Sequence, residues 1–325
     1  MKGSFDIPVS AKTPRRQFLR NIVFTGTGIG LAGQSLQNAE TASSAKSRRI
    51  GFVDDNLENY HANVFLKALR EPLKERGFMV SGCAGLQETP GRAWAEKNSV
   101  PYFNSVAALN EAVDFFMVLA PSMPETHLEL CRRVLPLKKP TYVDKTFAPD
   151  LATAREIFGL ADRDGTPIQT TSALRYTSVQ EQVRKLAPAR VEHMITWGGG
   201  GSFAEYAIHP LELLVSVLGH EATALMRRGT GSRSQLLIDF AGGRTGVVNV
   251  YPQSNTPFAA SVTTDKATQY IAVDASKIFV NNAAAILDFF AASKPNIDRR
   301  ESLAIMRLLD AARDPRALKE FVPLQ

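Results

Sequence analysis

Short apolar segments alternate with amphipathic ones between about residues 48 and 172. The apolar segments predict strands, and apolar residues that recur every three or four positions predict helices. The nearly unbroken apolar run at 114–120 is typical of a strand covered on both faces. This alternation with short connections predicts a parallel sheet wrapped by helices. The expected strands are 49–53, 78–80, 114–120, 141–144 and 167–171, and the expected helices are 60–76, 125–137 and 151–163.

The second half of the chain has a different pattern. A strand is expected at 190–197, and the segments 236–240 and 245–250, joined by a glycine-containing turn, predict a hairpin. Val262 and residues 270–273 continue an antiparallel sheet, and helices at 282–292 and 301–313 close the chain. The overall prediction is an α/β protein in which a parallel-sheet domain precedes an α+β domain with an open, mainly antiparallel sheet.

Residues 1–47 fit neither pattern and are interpreted as an export signal with a linker. A basic segment containing Arg15 and Arg16 precedes a short, glycine-rich apolar run and then small and polar residues. The apolar run is shorter than the ~20 residues of a membrane span, so no stable span is expected. The paired arginines followed by Phe18 and Leu19 resemble a twin-arginine signal, with Pro14 where serine is common. The resemblance implies a periplasmic location; a basic disordered tail is the alternative.

Composition and charge narrow the function classes. Apolar residues make up 44% and charged residues 22% of the 325 positions, which excludes a disordered or coiled-coil chain. The net charge is +6, and residues 1–45 supply half of it, so the basic balance does not indicate nucleic acid binding. Only two cysteines are present, which excludes a disulfide scaffold, and we expect no metal site.

The turn after the first strand is the first candidate for chemistry. In a dinucleotide-binding fold it carries G-x-G-x-x-G, because the backbone must approach a pyrophosphate closely. Here Gly51 lies in the strand, and Asp54, Asn56 and Asn59 occupy the fingerprint positions. A carboxylate ~4 Å from a phosphate costs about 4 kcal/mol at an effective dielectric of ~20. These four residues are the candidate cofactor contacts, and the turn predicts weak dinucleotide binding.

Two further segments carry candidate catalytic groups. Lys145 directly follows a predicted strand, at the edge of the sheet where α/β proteins bind ligands. Glu205 and His209 follow a run of four glycines and are four residues apart, hence on one face of a helix. A carboxylate beside an imidazole orients the ring of a general base, whose ordinary pKa is ~6.5. Pro210 would either kink this helix or begin a new one.

Taken in order, these segments resemble the Gfo/Idh/MocA family of oxidoreductases over nearly the whole chain after residue 47. The resemblance rests on residues 100–109, residues 118–127, the Asp144-Lys145-Thr146 tripeptide, the Glu205/His209 pair and residues 302–313. It implies a Rossmann-like domain at 48–172 and a substrate and oligomerisation domain at 173–325, whose last helices can pack back on the first. It also implies NAD or NADP and a sugar-like or polyol substrate.

By this resemblance His209 removes a hydroxyl proton, Lys145 polarises the same oxygen, and Glu205 orients the ring or anchors the substrate. Ala120, Pro121 and His127 are expected at the cofactor, and Arg175 and Tyr176 at the substrate, together with the three catalytic candidates. The glycine fingerprint is missing, glutamate replaces aspartate at 205, and Thr146 replaces a proline.

Three functions are therefore open at this stage. The leading one is an exported NAD(P)-dependent oxidoreductase that acts on a sugar or polyol. The others are an enzyme that cleaves glycosides with the help of NAD, and a non-catalytic sugar-binding relative without a cofactor. The family resemblance also implies a homo-oligomer, because an apolar outer face of the open sheet invites burial.

Overall fold

The computed structural model describes residues 48–186, 190–230 and 233–324. The expected export signal at 1–47, including Arg15 and Arg16, lies outside the described residues. Within them, no helix is both long enough and apolar enough to cross a membrane. No group of three or more histidine, cysteine, aspartate or glutamate side chains in the described ranges could hold a metal ion.

The first sheet is parallel and has five strands, which confirms the prediction for this half of the chain. The strand order is β2-β1-β3-β4-β5, so the chain leaves β1 towards one side of the sheet and returns on the other. The crevice beyond the ends of β1 and β3 is therefore the topological switch point, where such sheets bind ligands. The strands are β1 Arg48–Asp54, β2 Phe78–Gly85, β3 Phe115–Val118, β4 Thr141–Val143 and β5 Ile168–Thr170.

Five helices follow the strands of this sheet. The predicted helix at 60–76 ends at Arg70, since Pro72 cannot continue it. The second helix was not expected, because Pro90 and Gly91 stand in its first turn. The predicted helix at 125–137 is an α-helix only over its middle, with a 3-10 turn at each end. The helices are α1 Tyr60–Arg70, α2 Glu88–Lys97, α3 Val106–Asn110, α4 His127–Val134 and α5 Leu151–Asp164.

The second sheet has seven strands in the order β11-β10-β6-β9-β8-β7-β12. All neighbours are antiparallel except β6 and β9, which confirms the expectation of a mainly antiparallel sheet. The predicted hairpin is β8 and β9, and Gly242 and Gly243 in its turn both have positive φ. The strands are β6 Val191–Gly198, β7 Ala222–Thr230, β8 Arg233–Phe240, β9 Arg244–Val250, β10 Ala259–Thr264, β11 Thr268–Ala272 and β12 Val322–Pro323.

Five more helices accompany this sheet and join it to the first. Pro210 stands in the first turn of α8, so it begins a new helix and does not kink an old one. Phe289 and Phe290 of α9 belong to the same buried cluster as Ile50 and Phe65 of the first sheet and its helix. The helices are α6 Ser178–Leu186, α7 Phe203–Tyr206, α8 Ile208–Leu218, α9 Ile278–Ala292 and α10 Arg299–Arg313.

Candidate functional site

A cavity of about 280 Å³ lies between the carboxyl ends of the parallel strands and the helices that follow the glycine run. Lys145 and His209 both line it, as the sequence predicted. Its lining side chains come from both halves of the chain: Asn59, Tyr60, His61, Pro121, Ser122 and Lys145 from the first, and Ala173, Leu174, Glu205, Tyr206, His209, Phe258, Ile278 and Phe279 from the second.

Lys145 supplies positive charge to this cavity. It follows β4, is 5% exposed, and its Nζ donates a hydrogen bond of 3.1 Å to the carbonyl oxygen of Pro121. Burial lowers its pKa below the ordinary lysine value, although the carboxylates of Asp144 and Glu205 act in the opposite direction. A lysine in this setting can stabilise an oxygen that becomes negative.

His209 is the second residue of α8, and its Nδ1 lies 2.7 Å from the hydroxyl oxygen of Ser172. Burial lowers its pKa well below the usual histidine range, and the positive charges of Lys145 and His61 lower it further. The ring is therefore neutral at neutral pH and can accept a proton.

Glu205 lies in the cavity wall but does not hydrogen-bond to His209. Its Oε1 accepts a hydrogen bond of 2.9 Å from the hydroxyl of Ser122, in the loop after β3. The partner of the imidazole is thus a serine and not the predicted carboxylate, and Oε2 of Glu205, which has no hydrogen-bond partner among the described residues, is available to hydroxyl groups in the cavity.

The glycine run before α7 has a packing function. Gly200 has a φ of 126°, and a Cβ at this position would lie 2.1 Å from the ring of Tyr206. Only glycine fits there. Gly200 therefore lets the Tyr206 ring lie against the backbone, at the cavity wall.

A carboxylate–imidazole pair does exist in this cavity, at residues that sequence reasoning missed. Nδ1 of His61, the second residue of α1, lies 2.5 Å from Oδ2 of the buried Asp144. The other carboxylate oxygen accepts hydrogen bonds from the Tyr142 hydroxyl at 3.1 Å and the backbone N–H of Lys145 at 2.9 Å. Burial alone would raise the pKa of Asp144, but the charge and hydrogen bond of His61, together with the charge and backbone N–H of Lys145, outweigh it and the pKa is lowered.

One signal in the sequence could have located this pair. The start of α1 follows β1 directly, and Asp144 follows β4, so both lie at the same edge of a parallel sheet.

The turn after β1 satisfies several of its own hydrogen-bond donors. The buried carboxyl of Asp54 accepts hydrogen bonds from the N–H of Asp55 at 2.7 Å, from Nδ2 of Asn59 at 2.8 Å and from the N–H of Ala120. It thereby bridges the ends of β1 and β3 across the switch point. Burial, with the neighbouring carboxyl of Asp55, raises the pKa of Asp54 to about 7.

Further N–H groups at this turn and at the start of α1 are also used. Oδ1 of Asn59 caps α1 by accepting from the N–H of Ala62 at 2.9 Å, and Oδ1 of Asn56 accepts from the N–H of Glu58 at 3.0 Å. The backbone oxygen of Asp55 accepts a hydrogen bond of 2.7 Å from the N–H of Gln87. Backbone N–H groups here would hold the pyrophosphate of a dinucleotide. In this conformation the N–H groups of Asp55, Glu58 and Asn59 are bound to the chain's own oxygens, so these three are closed to a pyrophosphate.

The other predicted cofactor residues are dispersed. Gly51 lies within β1, and a Cβ there would meet the side chains of Leu109 and Val113 at 3.1 Å, so it serves packing. Ala120 is buried, with a φ of 48°. Pro121 lines the cavity.

His127 does not line the cavity, contrary to its expected place at a cofactor. It is fully buried, with its ring nitrogens 2.6 Å and 3.0 Å from the carbonyl oxygens of Leu119 and Phe147. Its contacts therefore hold the loops after β3 and β4 together.

The predicted substrate residues Arg175 and Tyr176 are also placed elsewhere. Arg175 forms ion pairs with Glu212 and, at 2.5 Å, with Glu301. The Tyr176 hydroxyl donates to Asn296 at 3.3 Å. Both side chains line a separate groove of about 420 Å³. The expectation that they share the substrate with Lys145 and His209 is corrected, since Arg175 joins α8 to α10 through its two glutamates.

No protein-family model and no curated protein matches this chain. Solved structures do match. Myo-inositol 2-dehydrogenase from Lactobacillus plantarum is 11% identical, with a TM-score of 0.73 over 86% of this chain and 100% of its own. GenD2 from gentamicin A biosynthesis, solved in complex with NAD, is 14% identical, with a TM-score of 0.72 over 91% of this chain and 100% of its own.

A third similar structure is UDP-N-acetylglucosamine 3-dehydrogenase GnnA from Acidithiobacillus ferrooxidans. It is 13% identical, with a TM-score of 0.67 over 81% of this chain and 95% of its own. Identities this low establish the fold alone. The chain therefore has the two-domain fold of these dehydrogenases, the fold that its resemblance to the Gfo/Idh/MocA family implied.

Proposed function

We propose that this protein is an oxidoreductase that acts on a sugar- or polyol-like substrate in the cavity of Lys145, Glu205 and His209. The observation that carries the proposal is that a desolvated lysine and a neutral imidazole, from opposite halves of the chain, line one cavity. Its volume is close to the lower end of the ~300–1,000 Å³ range of small-molecule sites. The sugar and polyol dehydrogenases that share the fold support the substrate class.

The proton chemistry follows from the two side chains. When Nδ1–H of His209 donates to Ser172, Nε2 has a free lone pair and can remove the proton of a substrate hydroxyl. Lys145 stabilises the negative charge that develops on the same oxygen. Glu205 accepts hydrogen bonds from neighbouring hydroxyl groups and so orients the substrate.

Oxidation of an alcohol also needs a hydride acceptor, and the family resemblance implies NAD or NADP. The hydrogen bonds that Asp54 and Asn59 accept within the turn occupy part of its donors, and they favour a second candidate, a sugar-binding protein that holds no dinucleotide. Cleavage of a glycoside with the help of NAD would need the same dinucleotide site.

Two measurements distinguish the candidates. The purified protein is denatured and its supernatant assayed for nicotinamide by absorbance and fluorescence. Turnover of myo-inositol, scyllo-inositol and UDP-N-acetylglucosamine is then followed with NAD and with NADP. The proposal predicts turnover of a polyol or sugar, with kcat lowered about 10²–10⁴-fold in His209→Asn. Binding of a polyol without turnover under any condition supports the sugar-binding candidate.

Export, location and assembly are proposals from the sequence. We propose that the chain is carried to the periplasm by a twin-arginine signal, supported by Arg15 and Arg16 before a short apolar run. We also propose a homo-oligomer formed through the open sheet, supported by the expectation that an apolar outer face of this sheet is buried.

A further inference from the structure

A groove of about 210 Å³ is lined by α5, α10 and the segment that joins α8 to β7. The residues of α10 that line it recur every three or four positions and therefore share one face of the helix. They are Arg300, Leu303, Ala304 and Arg307. The opposite face of α10, with Ser302, Ile305 and Met306, lines a small cavity beside Lys145. The groove is thus separate from the substrate cavity, and the proposed function makes no use of it.

Basic side chains dominate this groove, and among the described residues no carboxylate lines it. Arg300 and Arg307 come from α10, Arg155 comes from α5, and His220 lies between α8 and β7. The other lining side chains are apolar: Leu151, Leu303 and Ala304. Three separate elements therefore bring positive charge to one small, partly apolar space.

Arg307 is only partly satisfied by the protein itself. Its Nη2 donates long hydrogen bonds of 3.3 Å and 3.4 Å to the carbonyl oxygens of His220 and Ala222. Its Nε is buried without a partner, and it forms no ion pair with any of the described residues. Burial lowers the pKa of this arginine, and the positive charge of Arg155 lowers it further. A half-buried guanidinium beside a second cation thus lacks the counter-ion that buried charges ordinarily have.

Carboxylates near the groove are already engaged. Asp298 pairs with Arg300 at 2.5 Å and so neutralises it. Asp310, three residues after Arg307 on α10, instead accepts a backbone N–H of α5 at 2.9 Å and pairs with another arginine of its own helix. The exposed Arg155 has neither a hydrogen bond nor an ion pair within the described ranges. Two positive charges, on Arg155 and Arg307, are therefore left uncompensated.

We propose that this groove binds a dianionic phosphate group, held by Arg155 and Arg307 with His220 as a further donor. Guanidinium groups bind phosphate oxygens through pairs of parallel hydrogen bonds. A phosphate monoester carries a charge of about −1.5 to −2 at pH 7, which matches the two uncompensated arginines. A single carboxylate would neutralise only one of them.

The size of the groove restricts the ligand further. Its volume of about 210 Å³ lies below the ~300–1,000 Å³ range of drug-sized sites, so it suits inorganic phosphate or a small phosphate ester. In an ester the carbon chain would lie on Leu151 and Leu303. The proposal does not depend on the oxidoreductase chemistry, because neither Arg155 nor Arg307 lines the substrate cavity.

Calorimetric titration of the purified full chain tests the site. The probes are sodium phosphate and ethyl phosphate, at constant ionic strength in a buffer without phosphate. Ethyl phosphate has no free alcohol group, so it does not imitate a polyol substrate. We expect one saturable site per chain, with a Kd below about 1 mM for at least one probe.

Variants of the two arginines locate the bound anion. Arg155→Gln and Arg307→Gln each remove one charged donor and should weaken binding about 10–100-fold. The matched control Arg228→Gln removes the same charge from an exposed position on β7 outside the groove, and should leave the Kd unchanged. Arg155 is exposed, so Arg155→Gln keeps the test valid even if Arg307→Gln fails to fold.

Charge reversal tests the missing counter-ion from within the chain. In Arg155→Glu the new carboxylate lies beside Arg307 and takes the place of the anion. We expect this variant to lose phosphate binding and, without phosphate, to melt at a higher temperature than the wild type. Phosphate affinity equal to that of the wild type in Arg155→Glu would overturn the proposal.

The remaining outcomes also decide the matter. Equal affinity for both probes supports a site for the phosphate group alone, and tighter binding of ethyl phosphate supports an ester ligand. No saturable binding with a Kd below about 1 mM overturns the proposal. Binding that is lost in Lys145→Ala but kept in Arg155→Gln and Arg307→Gln overturns it as well, because the anion would then occupy the substrate cavity. None of these results depends on turnover, so the proposed function is judged separately.

Discussion

Asp54 gives the structure a pH dependence of stability that can be worked out in advance. Its pKa is raised to about 7 in the folded state, against ~3.9 in an unfolded chain. Between these values the folded protein holds a proton that the unfolded chain releases. Stability therefore falls as the pH rises through this interval, at about 1.4 kcal/mol per pH unit.

The size of the effect is set by the part of the interval that is measured. Going from pH 5 to pH 8.5 crosses about two pH units in which only the folded state holds the proton, so Asp54 should cost about 3 kcal/mol over this range. In Asp54→Asn this cost disappears. The new amide meets the Nδ2 donor of Asn59, which lowers the stability of the variant by a similar amount at every pH.

Urea unfolding of the wild type and of Asp54→Asn at pH 5 and pH 8.5 measures the difference. We expect the variant to gain about 3 kcal/mol relative to the wild type between the two pH values. Asp265→Asn, at an exposed position, is the matched control and should show no such gain. If Asp54→Asn and the wild type change equally with pH, Asp54 does not hold a proton in the folded state and the reasoning is refuted.

Other predictions concern the cofactor, the base and export. NAD and NADP should bind with a Kd above about 1 μM in calorimetric titration, since Asp54 and Asn59 occupy the N–H groups of Asp55 and Ala62; submicromolar affinity would contradict this. Ser172→Ala should lower kcat roughly tenfold with little change in KM, because the His209 ring loses its hydrogen bond. Replacement of Arg15 and Arg16 by lysine should reduce periplasmic abundance in cell fractions; unchanged abundance would exclude the twin-arginine signal.

The fold could be predicted because its elements have strong periodic patterns. The parallel strands are short apolar runs, and the hairpin of β8 and β9 has glycines at its turn. Among the elements that were missed, α2 has a sequence that disfavours a helix. α2 has Pro90 and Gly91 in its first turn, where both are tolerated.

The site was predicted only in part, because the burial of a side chain and its hydrogen-bond partners depend on tertiary packing. Lys145 and His209 were found from their places after a strand and a glycine run, and they line one cavity. The carboxylate–imidazole pair was expected four residues apart on a helix. It lies instead between His61 and Asp144, 83 positions apart, which only the packing of α1 on the sheet brings together.

The central claim is that Lys145 and His209 act on one substrate oxygen, and a double-mutant cycle on kcat tests it most directly. Lys145→Ala and His209→Asn are measured singly and together, with the polyol or sugar that the wild type turns over fastest. The account predicts a loss of about 10²–10⁴-fold in each single variant, and in the double variant a loss far smaller than the product of the two. Full activity of His209→Asn, or losses that simply multiply, would contradict it.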